Sequence, residues 1–167
     1  MVCKTTEAGT VCPVSRTMSI LGDPWTVLIL RELFQGAVDF EEILVQTDAP
    51  PYVLAERLEV LEDEGMLISS TGDRLPVRRE YRLTEKGQDF FPVLYALRAW
   101  GETWFKPDGS DFAVRFTHRV CGNDVGLESF CAHCKVFVGK SDLLRQPSRQ
   151  WEEERASRRN NFRKRVG

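Results

Sequence analysis

The first half of the chain shows hydrophobic positions at helical spacing, separated by short breaks. Pro13 is suited to open a helix, and Gly22-Asp23-Pro24 ends it. Asp23 can cap the next helix with Pro24 in its first turn. Residues 25–34 are apolar almost all round, which is typical of a buried helix. The pattern therefore predicts a short first helix followed by a core helix that ends at Gly36.

Two further helices follow this core helix. Asp39 precedes a short one over residues 40–46, and Pro51 opens another in which Leu54, Leu58 and Leu61 repeat at i, i+4 and i+7. The turn over residues 47–50 between them is tight. Two helices joined in this way form a helix-turn-helix unit, whose second helix enters the major groove of DNA.

A hairpin and a long helix complete this part of the chain. Residues 66–70 and 77–84 are strand-like, and Thr71-Gly72-Asp73 supplies the turn of a wing. Residues 85–105 predict one helix bent at Pro92. Its large apolar residues exceed what one small domain must cover, so we expect them to bury against a second subunit. They are Phe90, Phe91, Leu94, Leu97, Trp100 and Trp104.

The predicted fold class is mainly α with a small β-wing. Residues 1–105 form a winged helix-turn-helix domain with a C-terminal dimerisation helix. Residues 106–144 form a small, strand-rich extension that resembles a zinc ribbon, and residues 145–167 form a basic tail. The tail is either disordered or a solvated helix.

Charge is distributed unevenly along the chain. Eight Arg and Lys and three Glu give residues 145–167 a charge of +5, so the rest of the chain carries −7 of the total of −2. A local basic strip is enough for DNA contact. The absence of a long apolar run and of an apolar signal core predicts a cytoplasmic protein without membrane partners.

Several motifs occur in order and at compatible spacing between residues 12 and 105. They are Cys12-Pro13-Val14, Leu21-Gly22-Asp23, Glu56-Arg57-Leu58, Leu61-Glu62, Arg79-Glu80-Tyr81, Leu83-Thr84, Lys86-Gly87 and Trp100-Gly101. Together they resemble the HxlR-type regulators, relatives of the MarR group. The resemblance implies a homodimer that binds a palindromic DNA operator, in some members under the control of oxidants or electrophiles. One departure is Pro50, where the family usually has a Ser that can cap the recognition helix and touch a phosphate.

The N-terminal turns of the helix that Pro51 opens are predicted to face the DNA. Tyr52 can bond a phosphate or press on a thymine methyl, whereas Arg57 either reaches DNA or pairs with a Glu on its own helix. The acidic second half of this helix would repel phosphate, so it must tilt away. The candidate DNA-contacting residues on this helix are Pro51, Tyr52, Val53, Ala55, Glu56 and Arg57.

The wing supplies a second set of candidate DNA contacts, namely Arg74, Arg78 and Arg79. Arginines on a hairpin suit the minor groove or the phosphate backbone. The alternative is a solvated hairpin face, which is the ordinary place for charged side chains.

Cys12 is the candidate redox-sensing residue. It stands before Pro13 at the start of a helix, where the helix dipole favours the reactive thiolate. Oxidation near a dimer interface would change subunit geometry, and Cys3 is a candidate partner. The alternative is that Cys12 is a small buried hydrophobic residue.

A second group of cysteines predicts a metal site. His118-x-x-Cys121 and Cys131-x-x-Cys134 are separated by nine residues, and four such ligands suit tetrahedral zinc. So small a segment has little core of its own, so metal would supply folding energy. The alternative is a degenerate ribbon that is held by packing without metal.

Three classes of function can be considered for this sequence. The first is a dimeric, sequence-specific DNA-binding repressor, and the second is a protein-interaction module that docks partners on the winged helix and the ribbon. An enzyme is disfavoured, because both histidines, His118 and His133, lie in the ribbon and no phosphate loop or nucleophile elbow occurs. The aromatic helix also suits a small apolar effector, although interface core is the ordinary role of such a stripe.

Overall fold

The computed structural model describes residues 10–71, 79–107 and 109–166. The chain divides into two compact units, Met1–Gln88 and Asp89–Gly167. The described elements of the first unit are α1 (Pro13–Leu21), α2 (Thr26–Gln35), α3 (Phe40–Thr47), α4 (Pro51–Asp63), β1 (Leu67–Thr71), β2 (Arg79–Leu83) and α5 (Glu85–Gln88). This order confirms a mainly helical, winged-helix fold with small sheets.

Apolar side chains from three helices and the wing form the core of the first unit. Helix α2 is the central element, as its all-round apolar sequence predicts. The fully or nearly fully buried core residues are Ile29, Leu30, Leu33, Ile43, Leu54, Leu58, Leu61, Met66, Leu67 and Tyr81. Strands β1 and β2 pair antiparallel from Leu67–Leu83 to Thr71–Arg79.

Short polar contacts fix where the helices begin and turn. The Asp23 carboxylate accepts hydrogen bonds from the backbone N–H groups of Trp25 (2.8 Å) and Thr26 (3.0 Å) at the start of α2. Asp39 caps α3 in the same way through the N–H of Glu42, at 2.8 Å. Asp48 lies in the left-handed region at φ 53° and turns the chain from α3 towards α4. The predicted cap at Asp39 is confirmed. Helix α2 begins at Thr26 with Trp25 as its N-cap residue, so Asp23 and Pro24 lie just before the helix and not, as predicted, at its cap and first position.

The prediction of a single bent helix over residues 85–105 is wrong. The chain forms α5 (Glu85–Gln88) and, after a break at residues 89–90, α6 (Phe91–Trp104). Pro92 occupies the first turn of α6. Proline has no N–H and its ring collides with the carbonyl four residues before it, so the helix restarts here instead of bending.

The second unit contains α6 and a set of small antiparallel pairs. Its other elements are β3 (Val114–His118), β4 (Phe130–Cys131), β5 (Val136–Phe137), a 3-10 turn (Lys140–Asp142), β6 (Leu143–Pro147) and α7 (Arg149–Val166). Strand β3 pairs with β6, and β4 pairs with β5. Of the two alternatives for the tail, the helix is the one observed, and it begins only after residues 145–147 have paired with β3.

Arg98 joins α6 to the small antiparallel pairs formed by β3 to β6, which are called the ribbon below. Its guanidinium lies 5.2 Å from the ring centroid of Tyr95 and 5.0 Å from that of Phe116. It also donates hydrogen bonds to the carbonyls of Gly126 and Val114. Tyr95 donates to the same Gly126 carbonyl at 2.9 Å. Helix α6 is therefore anchored to the loop that connects the two halves of the cysteine cluster.

Among the residues that the structure describes, there is no helix with the length and apolar character needed to cross a bilayer.

Candidate nucleic-acid interface and metal centre

The first turns of α4 present an exposed surface above a buried row of leucines. Leu54 is fully buried and holds the helix, whereas the Tyr52 side chain is 75% exposed. Pro51 and Ala55 are also exposed, and Val53 is half-buried. This outward turn is therefore available to a partner without any change in the core.

Pro50 is the N-terminal cap of α4. Its carbonyl accepts the first helical hydrogen bond from the Leu54 N–H at 3.0 Å, and it makes no side-chain cap. Pro51 follows in the first helical turn. The fixed φ of two prolines sets the direction of the exposed turn, in place of the hydroxyl cap expected from the family resemblance.

Arg57 is held against the protein, and its side chain is only 11% exposed. It pairs with Glu56 on its own helix at 2.6 Å and lies 3.6 Å from the Asp23 carboxylate. Of the two roles weighed for Arg57, pairing with a neighbouring Glu is the geometry observed. The contact with Asp23, which sequence analysis missed, connects α4 to the start of α2.

The acidic second half of α4 is partly used in structural contacts. One Glu62 carboxylate oxygen accepts hydrogen bonds from the Ser69 N–H (3.0 Å) and the Ser69 hydroxyl (2.7 Å). These bonds hold the pKa of Glu62 below its usual value, and the charge of Arg79 lowers it further. Glu64 lies 3.7 Å from Lys86. Glu62 thus fixes the wing to α4, a role that only the position of β1 beside α4 reveals.

The wing contributes one described candidate arginine. Arg79 is exposed and lies opposite Thr71 at the end of the described pairing. The other two predicted contacts, Arg74 and Arg78, fall outside the described residues. Arg82 pairs with Glu80 on the same strand at 3.0 Å.

Cys12 is exposed and occupies the N-cap of α1. Its carbonyl accepts the Arg16 N–H at 3.1 Å, and its own N–H donates to the Thr10 hydroxyl at 3.2 Å. Nearby Val11, Val14 and Met18 are exposed as well. In the single chain Cys12 is therefore accessible to a reagent rather than buried. Its predicted partner, Cys3, lies outside the described residues.

Four side chains in the second unit converge on one point. The ligand atoms of His118, Cys121, Cys131 and Cys134 all lie within 4.8 Å of one another, so the cluster could hold a metal ion. The Cys121 sulfur is 3.4 Å from His118 Nδ1 and 3.5 Å from the Cys131 sulfur. Tetrahedral zinc with ordinary bond lengths has ligand separations of about 3.5–3.8 Å. The predicted ligand set is therefore brought together, while His133 remains exposed outside it.

The two halves of the cluster have the same backbone geometry. The Gly122 N–H donates to the His118 carbonyl at 2.7 Å, and the Lys135 N–H donates to the Cys131 carbonyl at 2.7 Å. Gly122 and Lys135 are both left-handed, at φ 71° and 59°. Each pair of candidate ligands thus lies on a tight turn. The hydrogen bond of each turn is donated by the residue that follows the second ligand, Cys121 or Cys134. Glycine adopts this conformation readily, whereas a non-glycine residue such as Lys135 is uncommon in it.

The thiols of the cluster differ in acidity. Hydrogen bonds from Asn123, and then from the neighbouring thiols, lower the pKa of Cys121 to about 5. Hydrogen bonding to Cys121 raises the pKa of Cys134 to about 11, because its proton is shared with that thiolate. The cluster therefore contains negative charge at neutral pH, as a cation-binding site requires.

Helix α6 keeps part of its apolar surface exposed. Phe90 and Phe91 are already buried in the single chain, so the expectation that they bury against a second subunit is wrong. They lie at the start of α6, where the chain restarts its helix and packs these rings inward. The exposed side chains at successive turns of α6 are Val93, Leu97, Trp100 and Trp104.

Comparison with known proteins identifies this combination of elements. The model of the HxlR-like helix-turn-helix family matches residues 20–109, which is more than half of the chain. The chain belongs to the HxlR-like helix-turn-helix family. It is accordingly a transcriptional regulator of a DNA-binding family and not an enzyme, as its sequence predicts.

Relatives of this HxlR-like protein extend the match beyond the family model. The HTH-type transcriptional regulator Rv3095 of Mycobacterium tuberculosis is 31% identical over 145 residues, 86% of this chain and 90% of its own length. The crystal structure of PA1607, a candidate transcription factor, is 34% identical with a TM-score of 0.63, and covers 84% of this chain and 96% of its own. The match to Rv3095 covers 145 residues, whereas the family model ends at residue 109. More than 30 residues of the match therefore lie in the C-terminal extension.

A third similar structure is the redox regulator HypR in its oxidized form. It is 27% identical to this chain with a TM-score of 0.52, and the match covers 55% of this chain and 96% of HypR. The shared part is therefore about the size of the helix-turn-helix region.

The bond between Glu62 and Ser69 generates a pH-dependent prediction. Glu62→Gln keeps an accepting oxygen but removes its charge, so we expect a loss of about 1 kcal/mol in the free energy of unfolding at pH 7. The folded pKa lies below the ordinary 4.5, so this stability is present above pH 4.5 and disappears as pH falls through the lowered value. Urea unfolding of both proteins across this range measures it.

Glu59→Gln is the matched control, because Glu59 is exposed on the same helix. A loss in Glu62→Gln that is equal in the control, or that does not vary with pH, would contradict the assigned role of Glu62.

Proposed function

We propose that this HxlR-like protein is a homodimeric, sequence-specific DNA-binding repressor. The observation that carries the proposal is the exposed first turn of α4, with Tyr52 projecting from a helix whose opposite side is buried through Leu54 and Leu58. A recognition helix needs this combination of rigidity and exposure, because a base contact is only as specific as its position is fixed.

The apolar stripe of α6 supports the homodimer. Leu97, Trp100 and Trp104 are 45%, 58% and 71% exposed, and two Trp side chains on one helix face are costly to leave in water. A second copy of the same helix would cover them in a symmetric, isologous contact. Two copies of α4 would then read an inverted repeat with one half-site each.

The alternative is a protein-interaction module. Two observations support it. Pro50 lacks the hydroxyl that the family usually has at this position, and the ion pair with Glu56 holds Arg57 against the protein. The repressor is favoured because Tyr52 remains outward-facing and because the relatives are named as transcriptional regulators. The two functions separate cleanly in one measurement, since only the repressor discriminates between DNA sequences.

Fluorescence anisotropy on DNA from upstream of the protein's own gene tests the repressor. We expect Tyr52→Ala to weaken operator binding by roughly 5-fold or more, about 1 kcal/mol, through loss of a phosphate or thymine contact. Its stability should not change, because Tyr52 is exposed and outside the core. Dissociation constants on operator and on scrambled DNA give the result.

Phe137→Ala is the control, as Phe137 is an 84% exposed aromatic residue of the ribbon. A half-site duplex adds a test of the dimer, which should bind the full inverted repeat more tightly. Equal affinity of the wild-type protein for operator and scrambled DNA would contradict the repressor and favour the interaction module.

The proposed signal is an oxidant that acts on Cys12. The exposed thiol supports this, and so does the likeness to HypR, which is named as a redox regulator. We expect hydrogen peroxide to weaken operator binding, thiol treatment to restore it, and Cys12→Ser to abolish the response. The same anisotropy titration measures it. Sensitivity that persists in Cys12→Ser would assign the response to other thiols.

The proposed occupant of the cysteine cluster is zinc. Three sulfurs and one imidazole nitrogen at these separations match its preferred ligands, and two equivalent turns present them. His118 and Cys131 are buried, so an ion there would bind on the inner side of the ribbon. Zinc would hold the β3–β6 and β4–β5 pairs together, because each pair is short and has little apolar core.

Metal analysis of the wild-type protein and of cysteine variants tests the zinc site. We expect about one zinc per chain by elemental analysis, and cobalt substitution should give the absorption of a tetrahedral thiolate site. Cys134→Ser should lose most of the metal and lower the thermal stability of the ribbon. Cys12→Ser, a cysteine outside the cluster, should retain the metal. Absence of metal from the purified wild-type protein, with no uptake on titration, would contradict the site.

A further inference from the structure

Helix α7 (Arg149–Val166) is 18 residues long, and none of its residues 149–165 is buried. Its first half is stabilised locally. The Ser148 hydroxyl accepts the Trp151 N–H at 3.2 Å. Arg149 pairs with Glu153, and Glu154 with Arg158, each at 2.7 Å and one helical turn apart. These contacts explain how a polar helix can form without a core.

The second half of α7 has a different charge pattern. Residues 155–165 contain six basic residues and no acidic one. Arg159, Arg163 and Lys164 are exposed. Arg155, Arg159 and Arg163 follow each other at four-residue spacing, which brings like charges together on one side of the helix. Such repulsion disfavours the isolated helix and is relieved by an anionic partner.

We propose that α7 binds the phosphate backbone of double-stranded DNA and adds sequence-independent affinity to that of α4. The proposal rests on the DNA-binding function above, but it concerns a separate surface. Five of the six basic residues in 155–165 are arginines, whose guanidinium groups form bidentate hydrogen bonds with phosphate. The rest of the chain is acidic, so α7 supplies the positive charge that the protein as a whole lacks.

The dimensions and composition favour DNA over other anionic partners. Eleven helical residues span about 16 Å, and a DNA strand carries one phosphate per roughly 3.4 Å of axis, so several phosphates are within reach. A helix that lies on a membrane needs a broad apolar face. In α7 the large apolar side chains of residues 149–165 are only Trp151 and Phe162, three turns apart.

Salt-dependent DNA binding tests the proposal with the full chain. The variant Arg159→Gln/Arg163→Gln/Lys164→Gln keeps good helix formers while removing three exposed charges. We expect the slope of log Kd against log salt concentration to fall by about 2 to 3, at roughly 0.9 per lost phosphate contact. Affinity at low salt should fall at least about 10-fold on operator and scrambled DNA alike, leaving their ratio unchanged.

The matched control is Arg119→Gln/Lys140→Gln/Arg145→Gln, which removes three exposed charges from the ribbon of the same unit. Its salt slope should remain close to that of the wild-type protein. Circular dichroism should show that each variant keeps the helix content of the wild-type protein.

Three outcomes would overturn the proposal. The first is an unchanged slope in the α7 variant, and the second is an equal fall in the control, which would indicate a general effect of net charge. The third is a loss confined to binding of vesicles with anionic lipid, which would make the surface a membrane contact. Failure of the repressor is distinguishable, because it removes operator selectivity in the wild-type protein while the salt slopes of the variants still differ.

Discussion

The burial of one side of α4 is the constraint on which the regulatory surface depends. Leu54, Leu58 and Leu61 are at most 1% exposed, and each contributes about 2–3 kcal/mol of transfer free energy. Their spacing fixes the rotation of the helix, so Tyr52 must face outward. The contact of Arg57 with Asp23 then joins α4 to the start of α2. The orientation of the exposed turn of α4 is thus a consequence of core packing.

The second unit has a different organising principle, because its strands are too short to build a large core. Arg98 connects α6 with the carbonyls of Gly126 and Val114, and Gly126 lies in the segment between Cys121 and Cys131 of the four-residue cluster. The match of Rv3095 reaches into this extension, so at least one relative shares sequence with it. A bound metal would therefore influence the loop that anchors α6.

Electrostatics in this protein is local. In the acidic half of α4, Glu62 accepts hydrogen bonds from Ser69 and Glu64 lies beside Lys86, whereas Glu59 and Asp63 are exposed. Helix α7 carries an excess of basic residues, seven Arg and Lys against three Glu, although the net charge of the chain is −2. Net charge alone would have indicated little affinity for DNA, whereas its placement permits contact at chosen surfaces.

Periodicity and capping residues were sufficient to predict α1 to α4 and the strands of the wing, because these depend on local spacing. The spacing of His and Cys predicted the four residues of the cluster. Tertiary structure decided the rest. The inward position of Phe90 and the pairing of residues 145–147 with β3 depend on packing and strand pairing, which local spacing does not specify. The bond between Glu62 and Ser69 depends on how β1 lies against α4, and Lys135 adopts its left-handed turn although it is not a glycine. Contacts between different elements bring together residues that local sequence spacing does not show to be close.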